Sequence, residues 1–354
     1  MRNTEFNIEK IKISPGLVLA PMSGVTNSAF RRLIKLENPK TVGLVVTEFI
    51  SIEGLTRQNL KSLNMMKYAE WERPISIQIF GSDLERMVEA AKMVEDAGAD
   101  ILDINSGCPV PRVVKRGGGC ELMRQPEHLG KMLAAVKQAI KIPLTLKCRT
   151  GWDEKHRNVF EIAKIAEDSG VAMLAVHGRT RVQLYRGEAD WQVIEQVANT
   201  VKIPVIGSGD VTSAGFAQQV FKNNIAGLMI GRGALQNPWI FNELVEGPAD
   251  TKQAIPELVR VIKRYTELLK EDFPDKAIIG KLKQLATQAI REFRGAQELR
   301  KALCLTPNLQ LFLETLGRAE EIVSAAAVSG FEQIDASDSA FQVEAEHVND
   351  RSYA

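Results

Sequence analysis

The stretch Asn105-Ser106-Gly107-Cys108-Pro109 places an amide and a thiol on either side of a glycine and then stops the chain with a proline. Pro109 lacks a backbone donor and fixes φ, so the chain beyond Cys108 must turn. A thiol on a turn that leaves a buried strand can act as a nucleophile. At an ordinary pKa of about 8.5 it can equally act as a proton donor. The turn runs on through Arg112, Lys115 and Arg116 to Gly117-Gly118-Gly119 and Cys120.

Two further stretches suit an anion: Gly207-Ser208-Gly209-Asp210 and Gly231-Arg232-Gly233. Glycine lets backbone N–H groups approach a phosphate closely, the start of a helix favours negative charge, and Arg232 adds a fixed positive one. A phosphate-bearing ligand is expected there, either FMN or a sugar phosphate. Pro21 and Met22 would give a flat ring an apolar, polarizable platform. Gln78 can donate and accept at a pyrimidine-like edge, and Lys147 can balance charge on a reduced flavin. No GxGxxG follows the first strand, so a nicotinamide nucleotide would be a transient visitor rather than a resident.

The elements that must hold these residues repeat from residue 17 to about 246 as apolar run, polar loop and amphipathic helix. The runs are Leu17–Ala20, Leu44–Thr47, Ile75–Phe80, Asp100–Asn105, Pro143–Cys148, Ala172–His177, Ile203–Gly207 and Ala226–Ile230. Helical spacing fills Leu84–Ala97, Pro126–Ile140, Val159–Ser169 and Ser213–Phe221. Continuous apolar runs suit strands buried on both faces, and eight of them alternating with helices predict an α/β protein built as a (β/α)8 TIM barrel. A doubly wound open sheet is the competing arrangement. In a barrel the chemistry belongs at the C-terminal strand ends. Those ends carry Pro21, Met22, Glu48, Gln78, Asn105, Cys108, Lys147, Arg149, His177, Arg179, Ser208, Gly209, Asp210, Gly231 and Arg232.

After Gly247-Pro248 the strand pattern ends and 3.6-residue periodicity takes over. The division expected is therefore a barrel over 1–247, a smaller all-helical domain over 248–330, and an acidic, disordered tail over 331–354. Between Arg260 and Lys301 there are 11 basic and 6 acidic side chains, a local excess in a chain of net charge only +1. Global charge thus gives no nucleic-acid signal, while the helical domain does. The 4 cysteines have no zinc-ligand or disulfide spacing, so no metal is expected. No apolar run reaches membrane-spanning length and no leader pattern opens the chain, which predicts a cytoplasmic protein.

Five stretches in order resemble the tRNA-dihydrouridine synthases: Ala20-Pro21-Met22-Ser23-Gly24-Val25-Thr26, Asp103-Ile104-Asn105-Ser106-Gly107-Cys108-Pro109, Leu146-Lys147-Cys148-Arg149-Thr150-Gly151-Trp152, Val176-His177-Gly178-Arg179-Thr180 and Met229-Ile230-Gly231-Arg232. The resemblance covers the barrel and, more weakly, the helical domain. It implies FMN-dependent reduction of uridine in tRNA to 5,6-dihydrouridine, with NADPH as the usual reductant and NADH as the alternative. Cys108 would then protonate C5 while the flavin delivers hydride to C6. Pro21, Met22 and Ser23 would form the flavin platform, with Gln78 and Lys147 at the ring and His177 also at a flavin-site position. Ser208, Gly209, Asp210, Gly231 and Arg232 would hold ribitol and phosphate, and Asn105, Arg149 and Arg179 would line the uracil pocket or bind adjacent phosphate. The helical domain would grip the tRNA, and one uridine would be flipped into the barrel mouth. The chain departs from the family pattern at Ser208, where Asn is usual, at Arg112, where Lys is common, in the triple glycine, and at Lys281-Leu282, where bacterial members often carry Lys-His.

Two other readings share parts of this pattern. An FMN barrel acting on a free pyrimidine, of the dihydroorotate or dihydropyrimidine type, leaves the basic helical region without a role. A tRNA-binding protein without catalysis leaves Cys108, Lys147 and Arg232 without one.

Overall fold

The computed structural model describes residues 4–222, 224–247, 255–293 and 296–328. A short antiparallel hairpin, β1 (Phe6–Ile8) and β2 (Ile11–Ile13), opens the chain. Nine strands then form one sheet: β3 (Leu17–Leu19), β4 (Leu44–Val46), β5 (Ile50–Ser51), β6 (Ile75–Phe80), β7 (Ile101–Ser106), β8 (Leu144–Arg149), β9 (Met173–His177), β10 (Val205–Ser208) and β11 (Gly227–Ile230). All neighbouring pairs are parallel, β11 returns to β3, and β4 pairs directly with β6. Eight strands therefore close a TIM barrel, and the two-residue β5 extends the upper edge of β6. The hairpin and β5 are too short to show a periodicity, which is why apolar patterning accounts for eight strands and no more.

Successive strand residues point to opposite faces, and the cores follow that parity. Leu102 and Ile104 of β7, Leu144 and Leu146 of β8, and Leu174 and Val176 of β9 pack outward against the surrounding helices. The other parity fills the barrel. Phe6, Ile8 and Ile13 of the hairpin pack with Val18, Ile101, Met173 and Ile206, so the hairpin belongs to the apolar floor. Going up the same inward rows, apolar residues give way to Gln78, Asp103 and Asn105, to Thr145, Lys147 and Arg149, and to His177 and Ser208. The barrel interior is thus apolar below and polar at the strand ends.

The C-terminal helices Ile255–Lys270, Asp275–Ala289, Gln297–Leu305, Leu309–Gly317 and Ala319–Val328 pack together, and the first of them lies against the helix Ser28–Glu37. One apolar cluster runs from Leu19 and Phe30 through Trp239 and Phe241 to Leu282 and Phe312. Polar locks flank it. Arg260 and Arg264 both reach the buried carboxylate of Glu37, at 2.6 and 2.8 Å, and Arg32 donates to Glu271 and Asp272. No described helix is long and apolar enough to cross a membrane. The expected boundary at 248 and the tail 331–354 lie outside the described residues.

Candidate active site

The ends of β6, β7 and β8 carry one connected polar chain. Strand register sets Gln78 beside Asp103 and Asn105 beside Lys147. Asp103 accepts the hydroxyl of Thr145 and, at 2.6 Å, Nε2 of Gln78. Oε1 of Gln78 accepts Nδ2 of Asn105 at 2.8 Å. Oδ1 of Asn105 in turn accepts the backbone N–H groups of Gly107 and Cys108. Burial pushes the Asp103 carboxyl up to about 6, against the pull of these hydrogen bonds.

Cys108 is 6% exposed and packs with Phe49, Phe80 and Val113. Its carbonyl accepts the N–H of Cys120, and a Cβ at Gly119 would fall 2.5 Å from that carbonyl oxygen, so the glycine admits this close approach. Burial pushes the Cys108 thiol up to about 11, although the Val110 N–H, Arg149 and Lys147 favour the thiolate. The thiol is therefore protonated at neutral pH, which suits an acid and not a nucleophile. Cys120 is fully buried, with its thiol raised to about 12, and reads as structural.

Lys147 is half-buried at its strand end and finds no hydrogen-bond acceptor among the described residues. Burial and the neighbouring Arg149 lower its pKa, while Asp103 opposes the shift. His177 lies beyond it, held well below its ordinary pKa by burial and by Arg149, Lys147, Arg179 and Arg232, so its ring is neutral. Ser208 is paired in register with His177. Gly231 sits close to the platform, where an added Cβ would lie 3.5 Å from Sδ of Met22. Met22 itself is fixed by Thr26, whose hydroxyl meets its N–H at 2.9 Å and its carbonyl at 3.2 Å.

The arginines divide by task. Arg179 is 2% exposed and fully engaged: Nη2 meets both oxygens of Asp210 at 2.8 and 2.7 Å and the carbonyl of Gly187, while Nε donates to the carbonyl of Arg186. Asp210 also receives Arg232 at 3.1 Å and the N–H of Ala189. Arg179 and Asp210 thus brace the loop, and Arg232 stands at its solvent edge. Arg149 donates to the carbonyls of Gly107, Thr180 and Leu184, tying the Cys108 turn to the loop after β9.

Tyr185 on that loop was not legible as a site residue. It is 49% exposed, lies 4.8 Å from the Arg232 guanidinium and 5.6 Å from that of Arg149, and faces the His177 ring at 6.3 Å. An exposed aromatic ring in a polar loop beside a strand-end arginine was the available signal. Asp103 and Thr145 were also missed; only inward parity distinguishes them from the apolar rows around them.

A protonated thiol, an ammonium with no described acceptor and a loop braced by the Arg179–Asp210 ion pair meet at the C-terminal mouth, the end at which such barrels carry their chemistry. The profile of the family Dihydrouridine synthase (Dus) matches residues 18–325. A probable tRNA-dihydrouridine synthase of Rickettsia bellii is 43% identical over 241 residues, 67% of this chain and 72% of that protein. The tRNA-dihydrouridine synthase B of Xanthomonas axonopodis pv. citri is 45% identical over 233 residues, covering 66% and 69%. A probable tRNA-dihydrouridine synthase of Rhodobacter capsulatus is 41% identical over 253 residues, covering 70% and 76%. The chain belongs to the dihydrouridine synthase family, and is a flavin-dependent oxidoreductase.

Much of the basic excess of the helical region is internally used. Arg260 and Arg264 close on Glu37, Lys283 donates to the carbonyls of Cys304 and Thr306, and Lys270 and Lys301 pair with glutamates three residues earlier. Lys263, Lys276 and Arg291 are exposed and have no partner among the described residues. Arg294 lies outside them.

Proposed function

We propose that this protein reduces specific uridines of tRNA to 5,6-dihydrouridine, holding FMN at the barrel mouth and accepting electrons from NADPH or NADH. The observation that carries the reading is the neutral, buried thiol of Cys108 fixed at the strand ends near Lys147, whose ammonium has no described acceptor. The relatives named as tRNA-dihydrouridine synthases support the substrate.

The residues present fit a flavin phosphate. Lys147 offers its ammonium, neutral His177 a ring nitrogen, Ser208 and Gly209 a hydroxyl and a close backbone, and Gly231 and Arg232 an anion edge over Met22. Pro21, Met22 and Ser23 would underlie the ring, and Gln78 would meet its edge. Asp210 would act on the phosphate through Arg232 rather than by contact. When bound, the flavin supplies hydride for C6 of the uracil.

The chain's own residues would do the rest. Cys108 would hold the proton destined for C5, and Arg149 and Lys147 would stabilise the thiolate left behind. Asn105 would fix the turn that aims the thiol. Arg149 and Tyr185 would border the uracil, while Arg179 would shape that border through the loop it braces. We assign 1–247 to the flavin-binding barrel and 248–330 to the grip on tRNA, with Lys263, Lys276 and Arg291 as its phosphate-facing cations. A tRNA substrate implies a cytoplasmic setting.

The test is NAD(P)H oxidation by the purified, yellow protein. Stimulation by tRNA lacking dihydrouridine, and none by uracil or orotate, is expected. Stimulation by a free pyrimidine instead would replace this reading with the free-pyrimidine one, and a colourless protein that binds tRNA would leave only a binding module.

A further inference from the structure

The turn that follows β3 and carries the proposed flavin platform is held partly by the helical region. Lys281, on the helix Asp275–Ala289, brings Nζ within 3.5 Å of the Gly24 carbonyl and lies 4.7 Å from the Phe273 ring centre. From the barrel side, the carboxylate of Glu48, just beyond β4, accepts the Gly24 N–H. The two polar groups of Gly24 therefore meet two side chains from opposite regions of the chain, and although burial raises the Glu48 pKa and lowers that of Lys281, each favours the charged form of the other. Gly24 has φ of +73°, a conformation that disfavours any side chain. Three residues on, the phenol of the buried Tyr265, also from the helical region, hydrogen-bonds the side chain of Asn27, which caps the helix Ser28–Glu37.

We propose that Glu48 and Lys281 are a positioning couple for the flavin platform, through which the helical region completes the cofactor site. The proposal rests on the flavin reading above. Pro21, Met22 and Ser23 have the backbone of Gly24 as their downstream anchor, and Met22 is tied within the same turn, to Val25 and Thr26. Within a turn already closed by Val25 and Thr26 on Met22, an ammonium on the Gly24 carbonyl and a carboxylate on its N–H fix the orientation of both peptide planes that flank Gly24. Lys281 is half-buried against Phe273 and so is placed for this internal contact more than for solvent. Arg31 and Lys61 also face Glu48 electrostatically, but the hydrogen bonds to Gly24 come from Glu48 and Lys281.

The experiment compares Lys281→Met, Glu48→Gln, Lys281→Arg and the wild type for FMN affinity by fluorescence quenching, tRNA affinity by filter binding, and thermal unfolding of the flavin-free protein. Lys281→Met and Glu48→Gln are each expected to weaken FMN about tenfold, with no further loss when combined, while apo stability and tRNA affinity hold. Lys281→Arg is expected to restore FMN binding, because a guanidinium can stack on Phe273 and still donate to Gly24. Unchanged FMN affinity in both single variants overturns the proposal. Weakened tRNA binding with intact FMN binding assigns Lys281 to RNA instead, and a loss of apo stability equal to the loss of FMN affinity makes the contact merely structural. A wild type that binds no FMN is a failure of the flavin reading itself.

Discussion

Oδ1 of Asn105 lies 2.8 Å from the backbone nitrogen of Cys108, so the last inward-facing side chain of β7 fixes the turn that carries the thiol. That oxygen points to the turn because Nδ2 is directed to Gln78, whose Oε1 accepts it. Gln78 in turn is oriented by Asp103, which accepts from Nε2 of Gln78 and from Thr145. An ionised carboxylate is acceptor-only, and that polarity dictates the direction of each amide between it and Cys108. One buried charge thus sets the orientation of two side chains and of the turn that bears the thiol.

Asp103→Asn tests this polarity. The new amide accepts through one oxygen only, and wherever its N–H faces Gln78 instead of the Thr145 hydroxyl, which can turn to accept, the Gln78 amide is expected to flip and release Asn105. Uridine reduction should fall about tenfold to a hundredfold, the scale of a misplaced proton donor, while FMN stays bound. Alkylation of Cys108 by iodoacetamide should become faster as the turn loosens. Unchanged kinetics and unchanged alkylation would show that the turn holds itself.

Cys108→Ala separates the two half-reactions. Flavin reduction by NADPH, followed in a stopped-flow spectrometer, should proceed at the wild-type rate. Dihydrouridine formation should fall by roughly 10²–10⁴, the usual contribution of a positioned acid. Retained formation of dihydrouridine would assign the proton to another group.

The buried thiols also give stability a sign. In the fold Cys108 titrates at about 11 and Cys120 and Cys148 at about 12, whereas an unfolded thiol titrates at about 8.5. The unfolded chain therefore loses these protons first. Their contribution is fully present below about pH 8.5 and is lost as pH rises through 11 to 12. Urea midpoints are expected to fall between about pH 8 and about pH 10.5, and less steeply in Cys120→Ala. A wild-type midpoint that rises over that interval contradicts the assignment of buried neutral thiols.

How much of this was written in the chain is clearest at β8. Its apolar run ended at Cys148 in the sequence pattern, yet the strand continues through Arg149, because inward polar residues interrupt the run without interrupting the ladder. Lys147 and His177 were legible as strand-end groups because chemistry-bearing types are rare there. The bracing role of Arg179 and Asp210 was not, since sequence shows which residues reach the mouth but not which of them pair. The same holds for the basic helices, where charge could be counted but its partners, above all Glu37, lie more than 200 residues away.

Glu37 makes that partnership measurable. It sits at the end of the helix Ser28–Glu37, where a negative charge opposes the helix dipole, and two arginines of the C-terminal helices compensate it. Glu37→Gln should destabilise the protein by roughly 1–3 kcal/mol, the range for buried hydrogen bonds to charged groups, read from urea unfolding. No loss of stability would place the hold of the helical region in its apolar contacts alone.

The remaining question is which cations meet the RNA. Arg260, Arg264 and Lys283 are held by protein acceptors, so replacing them costs fold before it costs binding. Lys263, Lys276 and Arg291 have exposed side chains and no partner among the described residues, which leaves each placed to neutralise a phosphate. Alanine at all three should weaken tRNA binding at every sequence alike and reduce the slope of log K against log salt by about 0.7–0.9 for each phosphate no longer neutralised. Lys283→Ala should instead leave that slope unchanged and lower the melting temperature, since it uncaps the carbonyls of Cys304 and Thr306. Filter binding from about 50 to about 200 mM salt, over which the screening length roughly halves, distinguishes the two sets. A slope altered by Lys283→Ala and untouched by the triple variant would assign the RNA contact to Lys283 and not to these three cations.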